Sequence, residues 1–211
     1  MPPGAPQPLA GGPEALRKHA KLAAPTAVDK PLAVPLPHPP RWLNAAQLHP
    51  RPAEPLLDWL FDQGSLTRRL TALSAERFSV SPLLEGWQPL RHDECQALGV
   101  AEGSQGWVRE VYLRGAGQAW VFARSVAARS ALEGSGFDLS LLGSRSLGEL
   151  LFSDRAFARG PIEVCRYPAP WLPAEVREER LWGRRSCFRR GELGVLVAEV
   201  YLPALWAQVG A

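Results

Sequence analysis

Cysteine is scarce in this chain, and the little present builds no framework. Cys95, Cys165 and Cys187 are odd in number, far apart and outside any CxxC pair, so neither a disulfide scaffold nor a zinc knuckle is expected. Histidine is equally sparse. The four histidines are scattered, with His19 and His38 near the N-terminus, and HExxH does not occur, which leaves metal catalysis without its usual ligands. GxSxG is missing too, so Ser/His/Asp hydrolysis has no foothold. Gly115-Ala116-Gly117 lies between two strand-like runs and not before a helix, which speaks against a phosphate cradle. Nor is there an excess of one charge: 24 Lys and Arg face 21 Asp and Glu, interspersed, and a nucleic-acid partner is not expected. No apolar run approaches the ~20 residues of a membrane span, and the N-terminus lacks the apolar stretch of a secretory signal. These absences predict a cytoplasmic protein with no stable membrane insertion, and it is expected to be a monomer.

What is present divides in two. About half of the prolines fall in Met1–Pro40, with many alanines and almost no aromatics. Such a composition buries too little apolar area to offset its ordering entropy, so residues 1–40 are expected to form a disordered arm, with at most a short helix over 14–24. Residues 41–211 have room for one domain. Pro55–Phe61 is helical in period, with proline in the first turn; Gly64 is placed to end that helix and Ser65 to cap the next, Leu66–Leu73. Strand-like runs follow at 78–84, 107–113 and 119–126, the last two joined by the Gly115-Ala116-Gly117 hairpin. A helical stretch covers Leu139–Leu142 and Ser146–Phe152, and further strands are expected at 162–167, 180–190 and 195–202. Hairpins dominate and βαβ alternation is absent. The expected fold is α+β, a single antiparallel β-sheet with helices packed on it.

Three charges stand out against this apolar pattern. Period-2 alternation puts Arg109 on the face of Trp107, Val111 and Leu113, Arg124 with Trp120, Phe122 and Val126, and Glu199 with Val195, Val197 and Tyr201. A charge on an apolar face needs a partner. Each of the three could be a structural ion pair; taken together they suggest a site for a small dianion with a polar group, because guanidinium grips carboxylates through paired hydrogen bonds. Leu181-Trp182-Gly183-Arg184-Arg185-Ser186 is also unusual, and reads either as part of such a site or as an exposed basic edge strand.

Several tracts, taken in order, resemble bacterial chorismate–pyruvate lyase. They are Leu56-Leu57-Asp58-Trp59-Leu60 with Ser65-Leu66-Thr67-Arg68-Arg69, then Trp107–Val111, Leu147-Gly148 with Leu151-Phe152, Trp182–Ser186, and Ala198–Pro203. The resemblance implies helical flaps closing over an internal pocket. It also implies conversion of chorismate to 4-hydroxybenzoate and pyruvate at the start of ubiquinone synthesis, with no cofactor. Residue by residue, it places ligand contacts at Leu66, Arg109, Leu147 and Glu199, with Arg124 as a second pocket arginine. Leu66 stands where the family pattern has methionine.

On that basis Arg109 is expected to take the ring carboxylate and Arg124 the enolpyruvyl carboxylate. Glu199 would hydrogen-bond the ring hydroxyl, with catalysis assigned to Glu199 and Arg124. Aromatisation drives the reaction, so orientation and charge placement matter more than a nucleophile. The main rival is a non-catalytic effector-binding domain of related fold. It is disfavoured by the lack of a DNA-binding module ahead of the domain. An interaction protein whose buried charges simply pair is the other.

Overall fold

The computed structural model describes residues 39–210. The expected arm at 1–40, including the short helix over 14–24, lies outside the described residues except for Pro39 and Pro40. The described residues fall within one compact unit. Leu43 exchanges backbone hydrogen bonds with Val164, and Trp42 donates its indole N–H to Asp93 at 2.9 Å.

Two short helices lead in, α1 (Leu56–Phe61) and α2 (Leu66–Leu73). The Ser65 hydroxyl accepts from the backbone N–H of Arg68 and caps α2, as its position in the sequence suggests. Helix α1 stops earlier than Gly64: Asp62 turns extended, and its carboxylate then accepts the Gly64 N–H at 2.8 Å. Strand β1 (Phe78–Pro89) is followed by α3 (His92–Leu98), then the β2 (Gln105–Gly115) and β3 (Gln118–Ala128) hairpin. Ala116 and Gly117 both take positive φ in its two-residue turn, the primed geometry that matches strand twist. At Gly115 any Cβ would run into the Trp120 ring, so glycine is required there by packing.

Helix α4 (Arg129–Leu132), a 3-10 turn at Leu139–Leu141 and α5 (Leu147–Ser153) come next, with the Ser146 hydroxyl capping α5 through the Glu149 N–H. Strands β4 (Ala158–Arg159), β5 (Glu163–Arg166), β6 (Trp182–Arg190) and β7 (Leu193–Tyr201) lead to the C-terminal helix α6 (Pro203–Val209).

All seven strands form one antiparallel sheet in the order β1-β2-β3-β7-β6-β4, with β5 also on β6. The α+β class and single antiparallel sheet are therefore as expected. Register defines two faces. Val111, Ala123, Glu199 and Arg184 are cross-strand partners in one row, and Arg109, Ser125, Val197 and Ser186 form the next row on the same face. Here α1, α2 and α6 bury Trp59, Leu60, Leu66, Leu70 and Leu205 against Val111, Val121 and Tyr201. Helix α5 adds Leu147 and Leu151 against Phe188 and Val195. Each fully buried leucine contributes about 1.5–3 kcal/mol. Glu110, Arg124, Ala198 and Arg185 form a row on the opposite face, which α3 covers with Cys95 and Leu98.

Candidate active site

Glu199 and Arg184 are direct neighbours across β7 and β6. The Arg184 Nε–H donates to Glu199 Oε2 at 2.7 Å, with the two side chains 1% and 15% exposed. Arg184 also donates through Nη1 to the carbonyls of Trp59 (3.1 Å) and Asp62 (3.0 Å). These oxygens belong to the last turn of α1 and the residue after it, where no helical N–H remains to satisfy them. Burial works against the charge of Arg184, but the adjacent Glu199 carboxylate more than offsets it, holding the guanidinium above its ordinary range. One arginine thus ties the first helix to the centre of the sheet and orients Glu199.

A small cavity of about 20 Å³ sits over this pair. Leu66 and Thr67 of α2, Gly148 and Leu151 of α5, and Glu199 on the sheet are among its walls. The two helices meet above it: Thr67 Oγ1 and Ser146 Oγ share a hydrogen bond of 2.6 Å. Outside that junction runs an open groove of about 690 Å³, and Thr67 and Phe152 line both spaces.

The structure places the expected residues unevenly. Leu66 and Glu199 line the cavity. Leu147 is buried at the start of α5, one residue before the wall residue Gly148. Arg109 lies on the same face of the sheet, two strands from β7, almost completely buried. Its Nε–H donates to Glu85, and Nη2 donates to the carbonyls of Gly143 (2.6 Å) and Arg145 (3.2 Å). Arg109 therefore fastens β1 and the segment leading into α5 to the sheet.

Arg124 stands apart from the other expected residues. It does not join Arg109 and Glu199, because register places it on the opposite face, level with Glu110 and Ala198. There it donates to both Glu94 oxygens (2.6 and 3.1 Å) and to Glu110 (2.9 Å). Burial opposes its charge, yet the Glu94 carboxylate outweighs this and raises its affinity for the proton. Arg185, in the same row of that face with Ala198 between them, pairs with Glu163 at 2.8 Å and Asp93 at 3.3 Å. Arg124 is thus a structural ion pair holding α3 to the sheet. Alternation along one strand says which of its residues share a face, not how one strand is phased against another.

Two residues that line the cavity were not named as individual contacts from the sequence. Arg184 sat in a tract that also reads as an exposed edge, but β6 is interior, paired on both sides, and its adjacent arginines point to opposite faces with an acid on each. Arg159 comes from β4, a strand of only two residues, which carries no readable period. Among the described residues no group of His, Cys, Asp and Glu is arranged to hold a metal ion, and no helix is long and apolar enough to cross a membrane.

Comparison with known proteins bears on this geometry. The family model described as chorismate lyase matches residues 36–211. A protein of Pseudomonas aeruginosa named "Probable chorismate pyruvate-lyase" is 75% identical over 170 residues, 80% of this chain and 94% of that protein. One of the same name from Pseudomonas putida is 69% identical over 165 residues, 78% of this chain and 89% of that protein. Among solved structures, the C-terminal domain of PhnF aligns with a TM-score of 0.48 and 18% identity, over 59% of this chain and 82% of that one. The ligand-binding domain of a GntR-family regulator from Bordetella bronchiseptica gives 0.44 and 14%, over 60% and 83%. Likeness this slight carries no argument about function.

Proposed function

The chain belongs to the chorismate lyase family, and from that premise we propose that it cleaves chorismate to 4-hydroxybenzoate and pyruvate, feeding ubiquinone synthesis, without a cofactor. The observation that carries the reading is the Arg184–Glu199 pair beneath a small cavity walled by α2 and α5.

The reaction is an elimination in which atoms balance without a co-reactant. The ether C–O bond breaks with its electron pair leaving on the enolpyruvyl oxygen. The proton on the neighbouring hydroxyl-bearing carbon is lost, and the ring becomes aromatic. That proton count is restored when the enolpyruvate methylene carbon is protonated to give pyruvate. Aromatisation supplies the driving force, so the protein contributes orientation and fixed charges. Glu199, held by Arg184, accepts the ring hydroxyl's hydrogen bond and sits beside the carbon that loses its proton. Arg109 takes the ring carboxylate, exchanging its loop carbonyls for the ligand, so occupancy of the site is linked to the segment that enters α5.

Leu66 and Leu147 supply the apolar walls for the ring, and α2 and α5 act as flaps over an internal pocket. A cavity of about 20 Å³ is far below the roughly 300 Å³ of a small ligand site, so the flaps part at the Thr67–Ser146 contact to admit substrate from the outer groove. Closure then excludes water from the charged groups, which strengthens their effect.

The test is pyruvate release from purified chorismate, followed by reduction to lactate with consumption of NADH. Stoichiometric pyruvate and 4-hydroxybenzoate are expected. Chorismate binding with no turnover would make this an effector-binding domain instead.

A further inference from the structure

Resting on the lyase reading above, we propose that Arg159 holds the second carboxylate of the substrate, the one on the enolpyruvyl group. Every almost fully buried arginine of the described domain has its own carboxylate: Arg109 has Glu85, Arg124 has Glu94 and Glu110, Arg184 has Glu199, and Arg185 has Asp93 and Glu163. Arg159 also faces the cavity, half-buried, and has no carboxylate partner among the described residues.

Its contacts hold it in place without neutralising it. Nε donates to Ser186 Oγ at 3.0 Å, and Nη1 donates to the carbonyls of Gln63 (3.1 Å) and Asp62 (3.4 Å). The guanidinium carbon lies 5.5 Å from both the Phe152 and Phe188 ring centres. No protein partner is assigned to Nη2 among the described residues. Burial, and then the positive charge of Arg184 beside it, makes the charged form less comfortable than for an ordinary arginine. A cation so placed gains most from an anion that arrives with the ligand.

The substrate's shape selects the end of the cavity. The ether carbon adjoins the carbon bearing the hydroxyl, so the enolpyruvyl group lies near whatever holds that hydroxyl. Glu199 and Arg159 line the same small cavity, whereas Arg124 is on the other side of the sheet. Negative charge grows on the enolpyruvyl fragment as the bond breaks, and Arg159 meets it there.

The product 4-hydroxybenzoate lacks that second carboxylate, and this separates a binding role from a structural one. Arg159→Gln is expected to raise KM for chorismate roughly 10–100-fold. Affinity for 4-hydroxybenzoate should change less than about twofold, since it loses no partner. Arg159→Lys should recover part of the loss through its charge. Equal weakening of substrate and product, or no change in either, overturns the proposal. Should Arg159→Gln fail to fold, Ser186→Ala carries the test: it frees the guanidinium, and chorismate KM should rise about 2–10-fold with product affinity unaltered. An unchanged KM in that variant also overturns it. Wild-type turnover is measured alongside. Its absence would sink the lyase reading itself, while normal turnover with an indifferent Arg159 sinks only this assignment.

Discussion

Replacing Arg124 with methionine strips the buried Glu94 carboxylate, and the partly buried Glu110, of their nearest counter-charge. The side chain is 8% exposed and its partner Glu94 7%, joined by two hydrogen bonds, with a third to Glu110. Removing one member of a buried pair costs about 3–5 kcal/mol, because the charge left behind has no partner. In a domain of this size each kcal/mol lowers the melting temperature by about 2–4 °C, so Arg124→Met should melt about 6–20 °C lower. The drop should persist at high salt, since buried pairs are poorly screened. Affinity for 4-hydroxybenzoate, titrated calorimetrically well below the new melting temperature, should stay within about twofold, because Arg124 faces away from the cavity. An unaltered melting temperature with product binding abolished would refute the reasoning and return Arg124 to the ligand site.

Glu199→Gln keeps the shape and hydrogen bonding of the side chain but removes its charge and proton affinity. Turnover should fall by roughly 10²–10⁴-fold while 4-hydroxybenzoate still binds, and a loss below tenfold would leave Glu199 only an orienting role. Arg109→Lys should keep the fold but weaken 4-hydroxybenzoate by roughly 10–150-fold, since an ammonium cannot grip a carboxylate with two parallel bonds. Undiminished affinity in a calorimetric titration would remove Arg109 from the site. Benzoate should inhibit less than 4-hydroxybenzoate, because it leaves Glu199 with a site built for a hydroxyl and no hydroxyl to fill it. Progress curves with each compound added decide this, and equal inhibition would take Glu199 away from the hydroxyl.

Much of the fold was legible because it depends on local rules. The β2–β3 hairpin followed from Gly115-Ala116-Gly117 between alternating runs, and α2 from Ser65 ahead of an apolar period. Helix α3 was not foreseen. Its first turn buries Asp93 and Glu94, and such residues resemble a solvated face until Arg124 and Arg185 are seen to pair with them. Arg109 and Glu199 could be selected as charges on apolar strand faces, and they share one face of the sheet. Arg124 obeyed the same rule within its own strand but points the other way. The phase between strands depends on long-range register and on irregularities such as the shift between Leu113 and Arg114, which no local period encodes. Arg159 was invisible for a related reason, since two residues of strand show no alternation.

The most direct test of this account is a crystal structure of the protein with 4-hydroxybenzoate bound. The ring should lie between Leu66 and Leu147 on the sheet face that carries Glu199. Its hydroxyl should be within hydrogen-bond reach of Glu199, and its carboxylate on Arg109. Product density on the opposite face, beside Arg124 and Glu94, would contradict it.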